Sequence, residues 1–371
     1  MSSKNSTGKR RSLISFRGLR DLVSDSMSID MGSANTIIAV RGRGIVIDEP
    51  SVVAVNKVTG ELVAIGKAAH EMQGREARDV TLITPMMDGV VADFERTQEM
   101  LAHFVRQARS GISHFSRRAV MSVLSGVTQV EQRAFLSAAQ HAHIGRVYMV
   151  EEGLAAAIGS GVSIDDKRAA AVVDIGGGST NIAIVARGSI VYSQAVRIGS
   201  NDIDAAIMDR LRRHHGLIIG APTAERLKIE LGSAIEPEDP SRSVNVRGRD
   251  VQEGTPKAID ITSEEVCVAA EPVVSRLSRV VLRTLGDLQP EVAADIYERG
   301  LILTGGGALL DGLADFLTRE TKLTTRVSDE PRHACVRGLQ QLIDEPLLLR
   351  RVARNEHSAM LEATDPGAFE G

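Results

Sequence analysis

Short apolar runs alternate along the chain with segments in which apolar residues recur at helical spacing. Helical periodicity is clear in residues 96–109, where Met100, Leu101, Phe104 and Val105 recur on one face. Continuous apolar runs at residues 120–124 and 147–150 are typical of buried strands. This alternation predicts an α/β protein in which helices cover the sheets.

The same pattern extends over most of the chain. Helices are predicted at about residues 128–142, 152–159, 201–214, 222–230, 263–286, 308–319 and 335–344. Strand-rich stretches are predicted at about residues 28–56, 169–196, 243–260 and 324–328, the first of them as a β-meander. The stretches at 28–56 and 169–196 both contain a strand that ends in an aspartate-led turn. This recurrence predicts two domains with related topology. The pattern fades after residue 345, so residues 346–371 are predicted to form an unstructured tail.

Three glycine turns follow apolar runs. They read Asp30-Met31-Gly32-Ser33-Ala34-Asn35, Asp174-Ile175-Gly176-Gly177-Gly178-Ser179-Thr180-Asn181 and Thr304-Gly305-Gly306-Gly307-Ala308. A tight turn without side chains presents backbone N–H groups that can bind phosphate oxygens. The first two turns also carry an aspartate and hydroxyls, which suits a metal-bound polyphosphate. Together they predict a nucleotide held between two halves of the protein.

Composition excludes several classes of function. A net charge of −4 and an aromatic content of 3% argue against a nucleic-acid binder. The two cysteines, Cys267 and Cys335, have no ligand-type spacing, so neither a disulfide framework nor a zinc site is expected. This use of cysteine is consistent with a protein of the reducing cytoplasm. No apolar run approaches the roughly 18 residues of a membrane span, which predicts a soluble or peripheral protein.

The amino terminus is basic. Six Lys or Arg residues precede Asp21, the first acid. Residues 10–23 could form an amphipathic helix whose apolar side consists of Phe16, Leu19, Leu22 and Val23. One interpretation of this tail, residues 1–26, is attachment to an anionic membrane surface. The alternatives are a plain basic tail and a helix that docks on the body of the protein.

The combined motifs resemble one ATPase superfamily. A Walker loop would need Gly-Lys-Ser or Gly-Lys-Thr, and a dinucleotide fold would need Gly-x-Gly-x-x-Gly at the first turn; neither is present. Aspartate-led turns with a late Thr-Gly-Gly-Gly resemble the superfamily of actin, sugar kinases and heat-shock chaperones. Within it, five further segments look like MreB, the bacterial actin: residues 43–54, 85–94, 128–131, 223–226 and 298–310.

The resemblance implies an actin-like fold, with two related domains and four subdomains around a central nucleotide cleft. The domains would span residues 27–160 and 161–345, with the helix near 335–344 returning to the first. It further implies ATP and Mg²⁺ as cofactors, and self-assembly into filaments, possibly together with another MreB. By the same resemblance the protein would lie in the cytoplasm, peripheral on the inner membrane. There it would organise cell-wall elongation and rod shape with RodZ and elongation-complex proteins as partners.

Individual site residues follow from the turns and from the resemblance. Asp30 and Asp174 are expected to act on Mg²⁺ through bound water, and the resemblance makes Glu152 the acceptor for the attacking water. Glu151 is its rival, and Thr180 is expected to help place that water. The residues expected to contact the nucleotide are Gly32, Ser33, Ala34, Asn35, Gly176, Gly177, Gly178, Ser179, Lys228, Glu230, Gly232, Gly305, Gly306 and Gly307. Ile112 and Phe115 occupy the position of a second membrane-binding element of the family.

The chain departs from the family pattern near these residues. Gly153 replaces a proline, Asn181 replaces an acid, and Ser200-Asn201 replaces Gly-Asp. These changes put hydrolysis in doubt. A weak ATPase is therefore expected, and a nucleotide-holding scaffold is the main alternative. If the missing acids explain slow turnover, Glu at position 181 with Asp at 201 should raise it. A chaperone would need a peptide-binding module and a kinase a substrate cleft, and the MreB-like segments argue against both.

Overall fold

A computed structural model describes residues 26–109 and 118–353, together with the backbone of residues 356–358. The strands are β1 Ser26–Met31, β2 Asn35–Val40, β3 Gly44–Pro50, β4 Val53–Asn56, β5 Leu62–Ile65, β6 Val80–Ile83, β7 Met86–Met87, β8 Val90–Val91, β9 Arg118–Val123, β10 Arg146–Glu151, β11 Ala170–Ile175, β12 Thr180–Ala186, β13 Ser189–Val196, β14 Leu217–Ile218, β15 Ser243–Asp250, β16 Pro256–Thr262, β17 Leu301–Thr304, β18 Thr325–Val327 and β19 Glu356–Ser358. The helices are α1 Lys67–His70, α2 Phe94–Ala108, α3 Gln129–His141, α4 Glu152–Gly159, α5 Ser200–His215, α6 Ala221–Leu231, α7 Ser263–Gly286, α8 Pro290–Arg299, α9 Leu313–Thr321, α10 Ala334–Asp344 and α11 Pro346–Val352. Short 3₁₀ helices span Gly306–Leu309 and Pro331–His333.

Two large sheets are built on the same plan. In the first, β1, β2 and β3 form an antiparallel meander, and β9 and β10 continue it in parallel from β1. In the second, β11, β12 and β13 form the meander, and β17 and β18 continue it in parallel from β11. Each meander begins with an aspartate-led turn between its first two strands. The recurrence inferred from the two turns therefore extends to the topology of the whole sheet.

Smaller sheets extend each half. The strand β4 leaves the predicted meander and pairs with β5 and β6. In the second half, β15 pairs with β14 and β16. The apolar residues form one core in each half, and a third cluster joins them through α4, α10 and strands of both large sheets.

The helices α4 and α10 cross at very short distance between the two sheets. A Cβ atom on Gly159 would overlap the carbonyl of Ala334, and one on Gly338 would overlap the carbonyl of Ala155. Only glycine allows the two backbones to meet in this way. The helix α10 also packs against β1, β2 and β9, so the chain comes back to the first sheet near its end.

Two predicted boundaries were wrong. The predicted helix at 308–319 is interrupted, because Gly312 takes a positive φ of 65° before α9 begins. The predicted unstructured tail starts too early, because Pro346 begins α11 and Leu349 is buried in the central cluster. Backbone pairing of β19 with β10 then adds a strand to the edge of the first sheet.

All six residues predicted to contact membrane, namely Phe16, Leu19, Leu22, Val23, Ile112 and Phe115, lie outside the described residues. Within the described ranges, no helix combines the length and the apolar character needed to cross a bilayer.

Candidate functional site

A cleft of about 500 Å³ opens between the two large sheets. Its walls include all three glycine turns, and the carboxyl ends of β1 and β11 point toward it. The lining residues predicted from the sequence are Asp30, Gly32, Ser33, Ala34, Asn35, Glu152, Asp174, Gly176, Gly177, Gly178, Ser179, Lys228, Gly232, Gly305, Gly306 and Gly307. The structure therefore brings together residues that lie far apart in the sequence, from Asp30 to Gly307.

The first turn is held in shape from its outer side. The Gly32 N–H donates to the carbonyl of Asn35 at 3.0 Å, and the Ser51 hydroxyl donates to the Gly32 carbonyl at 2.7 Å. The Ser33 hydroxyl accepts a hydrogen bond from Gly89 N at 2.9 Å. These bonds tie the turn to neighbouring loops and leave its inner side facing the cleft.

The second turn is held by the start of α5. Ser200 N donates to the Gly176 carbonyl at 3.0 Å, and Asn201 N donates to the Gly177 carbonyl at 2.9 Å. A Cβ atom on Gly177 would come within 2.6 Å of the Ala34 Cβ in the first turn. The two turns thus lie against each other where they line the cleft, as the two sides of a polyphosphate site would.

Three carboxyl groups, those of Asp30, Glu152 and Asp174, line the cleft close enough for neighbouring charges to affect the pKa values of Glu152 and Asp174. Burial, and after it the charge of the nearby Asp30, raise the pKa of Asp174 to about 7. Burial also raises the pKa of Asp30, although the Ser122 hydroxyl, which donates to Asp30 Oδ1 at 2.6 Å, acts in the opposite direction. The pKa of Glu152 lies well above its ordinary value, first because of burial and then because of Asp174 and Asp30.

The two adjacent glutamates have different surroundings. Glu152 begins α4 and lines the cleft, where its Oε2 accepts a hydrogen bond from Asn181 Nδ2 at 2.8 Å. Glu151 accepts a hydrogen bond from the Ser125 hydroxyl at 2.6 Å and does not line the cleft. Of the two, Glu152 has the placement expected of a group that acts on a nucleotide.

The two hydroxyls of the second turn also differ. Thr180 is fully buried, and its hydroxyl donates to the carbonyl of Ile198 at 2.6 Å. Ser179 lines the cleft. The structure does not bring the Thr180 hydroxyl to the place where it would position a water, and Ser179 is the hydroxyl of this turn that faces the site.

Helix α6 forms the opposite wall. Glu230, which was predicted to contact the nucleotide, is exposed, pairs with Arg226 at 3.4 Å and does not line the cleft. Glu225 and Ile229 line it instead, together with Lys228 and Gly232. Positions 225, 228, 229 and 232 share one face of a helix, so helical periodicity alone could have identified them.

Lys228 is held by an ion pair. Its Nζ donates to Asp204 Oδ2 at 2.8 Å and to the Ser200 carbonyl at 3.2 Å. Burial raises the pKa of Asp204 to about 6, with Lys228 acting in the opposite direction. The lysine therefore braces α6 against α5, while part of its side chain still lines the cleft.

Two residues near the end of the second half reach the cleft without having been predicted. Arg332 Nη2 lies 3.2 Å from Asp48 Oδ1 and, with the Asn35 amide oriented to satisfy its neighbours, 2.8 Å from the Asn35 oxygen. Cys335 lines the cleft near Asp30, and burial raises the pKa of its thiol well above the ordinary range. Both residues depend on the return of α10 to the first sheet, which no local pattern indicates.

Comparison with known proteins shows the family of this chain. The family model described as "MreB/Mbl protein" matches residues 24–350. The chain belongs to the MreB/Mbl family. The cell shape-determining protein MreB of Pasteurella multocida is 42% identical over 331 residues, which cover 87% of this chain and 94% of that protein. The resemblance to MreB read from the sequence motifs is thus confirmed.

Solved structures of MreB/Mbl proteins and their relatives match the fold. MreB5 of Spiroplasma citri bound to ADP has a TM-score of 0.84 and 31% identity, covering 89% of this chain and 98% of its own. The same protein bound to AMPPNP gives a TM-score of 0.83 and 32% identity, covering 88% and 98%. A MamK double helical filament matches at a TM-score of 0.73 and 22% identity, covering 86% and 99%, which bears on the fold alone. The predicted actin-like fold is confirmed.

Proposed function

We propose that this chain is an actin-like cytoskeletal protein that binds and hydrolyses ATP, assembles into filaments and maintains cell shape. The observation that carries this proposal is the pair of phosphate-type turns, one from each half, that meet in a cleft also lined by three carboxyl groups. Family membership supports it, since the relatives include proteins named for cell-shape determination and a protein solved with ADP and with AMPPNP.

The residues of the cleft suggest how the nucleotide is held. The turns at Gly32–Asn35 and Gly176–Ser179 would donate backbone N–H groups to the β- and γ-phosphates. Lys228, Ile229 and Gly305–Gly307 also line the cleft and would contact the nucleoside end. Glu152 would accept a proton from a water whose oxygen attacks the γ-phosphorus. The bond from that phosphorus to the β–γ bridging oxygen then breaks, which yields ADP and phosphate.

Mg²⁺ is part of the proposal because of the carboxyl cluster. Desolvation raises the pKa values of all three acids, and repulsion from neighbouring carboxylates adds to the rise for Asp174 and Glu152, so ionising all three is costly. A divalent cation would lower that cost, and magnesium is commonly held through its water shell near phosphates. Asp30 and Asp174, which both line the cleft, would hold those waters, and the ion would neutralise charge on the phosphates.

Nucleotide binding and assembly can be tested together. The purified full chain is mixed with Mg²⁺ and ATP, ADP or no nucleotide, and binding is followed by calorimetry while pelleting and electron microscopy follow assembly. We expect binding of both nucleotides and filaments that depend on ATP. A chain that binds neither nucleotide would refute the proposal.

The location proposed for these filaments is the inner face of the membrane, with anionic lipid, RodZ and elongation-complex proteins as partners. The basic tail, the apolar side of residues 10–23 and the residues Ile112 and Phe115 support it through the family resemblance. Co-sedimentation with vesicles containing anionic lipid tests this location. Deleting residues 1–23 should abolish pelleting with the vesicles, whereas neutral vesicles should bind neither form.

A scaffold that holds nucleotide but barely hydrolyses it is the second candidate. Two features favour it: the hydroxyl of Thr180 is engaged by the backbone, and the pKa of Glu152 is raised. A raised pKa favours the protonated form of a carboxyl group, and that form cannot accept a proton. Single-turnover hydrolysis decides between the two candidates, since a scaffold would leave bound ATP intact.

A further inference from the structure

The departures from the family pattern at positions 153 and 181 meet in one place, where α4 begins. The helix packs against β11 and β12. A Cβ atom on Gly153 would overlap the Cβ of Ala183 in β12, so any larger residue at 153 would force helix and strand apart. Asn181 lies two positions before Ala183, and side chains two apart share a face of a strand. The close approach at Gly153 therefore occurs on the face of β12 that carries Asn181.

Asn181 uses this closeness to contact Glu152. Its Nδ2 donates to Glu152 Oε2 at 2.8 Å, and the residue is only 3% exposed. Asn181 is also the direct cross-strand partner of Asp174, so both side chains emerge on one face of the sheet. The amide is thus fixed by the strand on one side and by the glutamate on the other.

An amide suits this position better than an acid. Asn181 offers an N–H donor without adding charge beside Asp174 and Glu152, whereas an ionised carboxylate at 181 would only accept hydrogen bonds. The oxygen of the amide, Oδ1, has no hydrogen-bond partner among the described residues. In the present orientation, with Nδ2 toward Glu152 Oε2, the amide can donate to the glutamate whenever its carboxyl group is ionised.

We propose that Asn181 is a positioning residue whose amide holds the Glu152 carboxylate toward the attacking water, and that Gly153 allows the close packing on which this contact depends. The proposal rests on the proposed function, because it assumes that Glu152 accepts the proton of that water. It reverses the expectation from the resemblance, since an acid restored at position 181 would remove the donor and should slow hydrolysis.

The test uses the full chain in single-turnover hydrolysis of ATP with Mg²⁺, with affinity for AMPPNP measured in parallel. Asn181→Ala should slow hydrolysis by about tenfold or more, as expected when a catalytic group is misplaced. Asn181→Glu should slow it at least as much. The affinity for AMPPNP should stay within about twofold, because Asn181 does not line the cleft.

A double-mutant cycle separates positioning from a merely structural role. In the background Glu152→Gln, which itself should be slow, the further change Asn181→Ala should have no additional effect if the amide acts only through Glu152. Gly153→Ala should slow hydrolysis in the wild type and add little to Asn181→Ala. Thermal melting of each variant confirms that the fold is retained.

Several outcomes would overturn the proposal. An equal loss from Asn181→Ala with and without Glu152 would show that the amide acts elsewhere, and a parallel loss of AMPPNP affinity would show a structural role for the turn. A wild type that binds AMPPNP yet leaves ATP intact would refute positioning while nucleotide binding stands. A wild type that binds no nucleotide would refute the proposed function as well.

Discussion

Replacement of Asp174 by asparagine should make the nucleotide-free protein more stable at pH 8. Burial and Asp30 raise the pKa of this carboxyl from 3.8 to about 7. Each unit by which a folded pKa differs from the unfolded one corresponds to about 1.4 kcal/mol, so ionised Asp174 costs the folded state up to about 4 kcal/mol. Since the folded pKa of this acid is raised, the cost is absent below about pH 4, grows as pH rises to about 7 and is then constant.

Asparagine removes this cost, although it also alters local hydrogen bonds. We therefore expect the free energy of unfolding at pH 8 to rise by about 2–4 kcal/mol. At pH 6 the gain should be smaller by about 1 kcal/mol, because Asp174 is then mostly protonated in the folded wild type. The relief of repulsion should also lower the pKa values of Asp30 and Glu152.

The assay is urea unfolding of wild type and Asp174→Asn without nucleotide and in the presence of a chelator, at pH 6 and pH 8. The exposed Asp329 provides a matched control, since Asp329→Asn should leave the free energy of unfolding unchanged at both pH 6 and pH 8. With Mg²⁺ and ATP present, Asp174→Asn should be less stable than the wild type, because it should bind nucleotide more weakly. If Asp174→Asn is no more stable than the wild type at pH 8, or if its gain in stability does not depend on pH, then ionised Asp174 does not destabilise the folded protein, which would refute this reasoning.

Three further variants test the geometry of the cleft and of the helix crossing. Glu225→Ala should weaken ATP binding measured by calorimetry, whereas Glu230→Ala, on the exposed side of the same helix, should leave it unchanged. Gly338→Ala should lower the melting temperature by several degrees or prevent folding, because its methyl group would overlap a backbone carbonyl, whereas Gly286→Ala has open space and should be neutral. Thr180→Val should cost about 1 kcal/mol in urea unfolding through the lost bond to Ile198, with ATP affinity retained. Loss of ATP binding in Thr180→Val would contradict the placement of its hydroxyl.

The phosphate-binding side of the cleft could be predicted from the sequence because its chemistry is local. In each of the first two turns, an aspartate, glycine and a hydroxyl lie within a few residues of one another, as Asp174, Gly176 and Ser179 do. The choice between Glu151 and Glu152 came from the family resemblance, and the structure places Glu152 in the cleft. Thr180 shows the limit of this reasoning, since neighbouring hydroxyls on a strand point to opposite faces and the motif does not reveal which faces the cleft.

The remaining site residues depend on contacts between distant segments. Arg332 and Cys335 reach the cleft only because α10 returns to the first sheet. Glu230 was chosen by analogy, whereas the spacing from Glu225 to Lys228 and Ile229 would have identified the correct face of α6. The boundaries near Gly312 and Pro346 were misplaced because a left-handed glycine and a helix-starting proline override the apolar pattern.

The crossing of α4 and α10 also bears on how the cleft could open. The chain passes from the first sheet to the second directly after α4 and returns at α10, so both covalent connections between the halves run through this crossing. Backbone packed on backbone at Gly159 and Gly338 resists sliding but leaves rotation about the point of contact comparatively free. We therefore expect the halves to turn about this pivot. Because Glu152 begins α4 and accepts a hydrogen bond from Asn181 of the second turn, a small rotation there would move the first turn relative to its carboxylate, and domain closure would set the distance between base and phosphate. Distances between spin labels on the two halves, measured with ADP and with AMPPNP, would reveal such a rotation, and identical distances would exclude it.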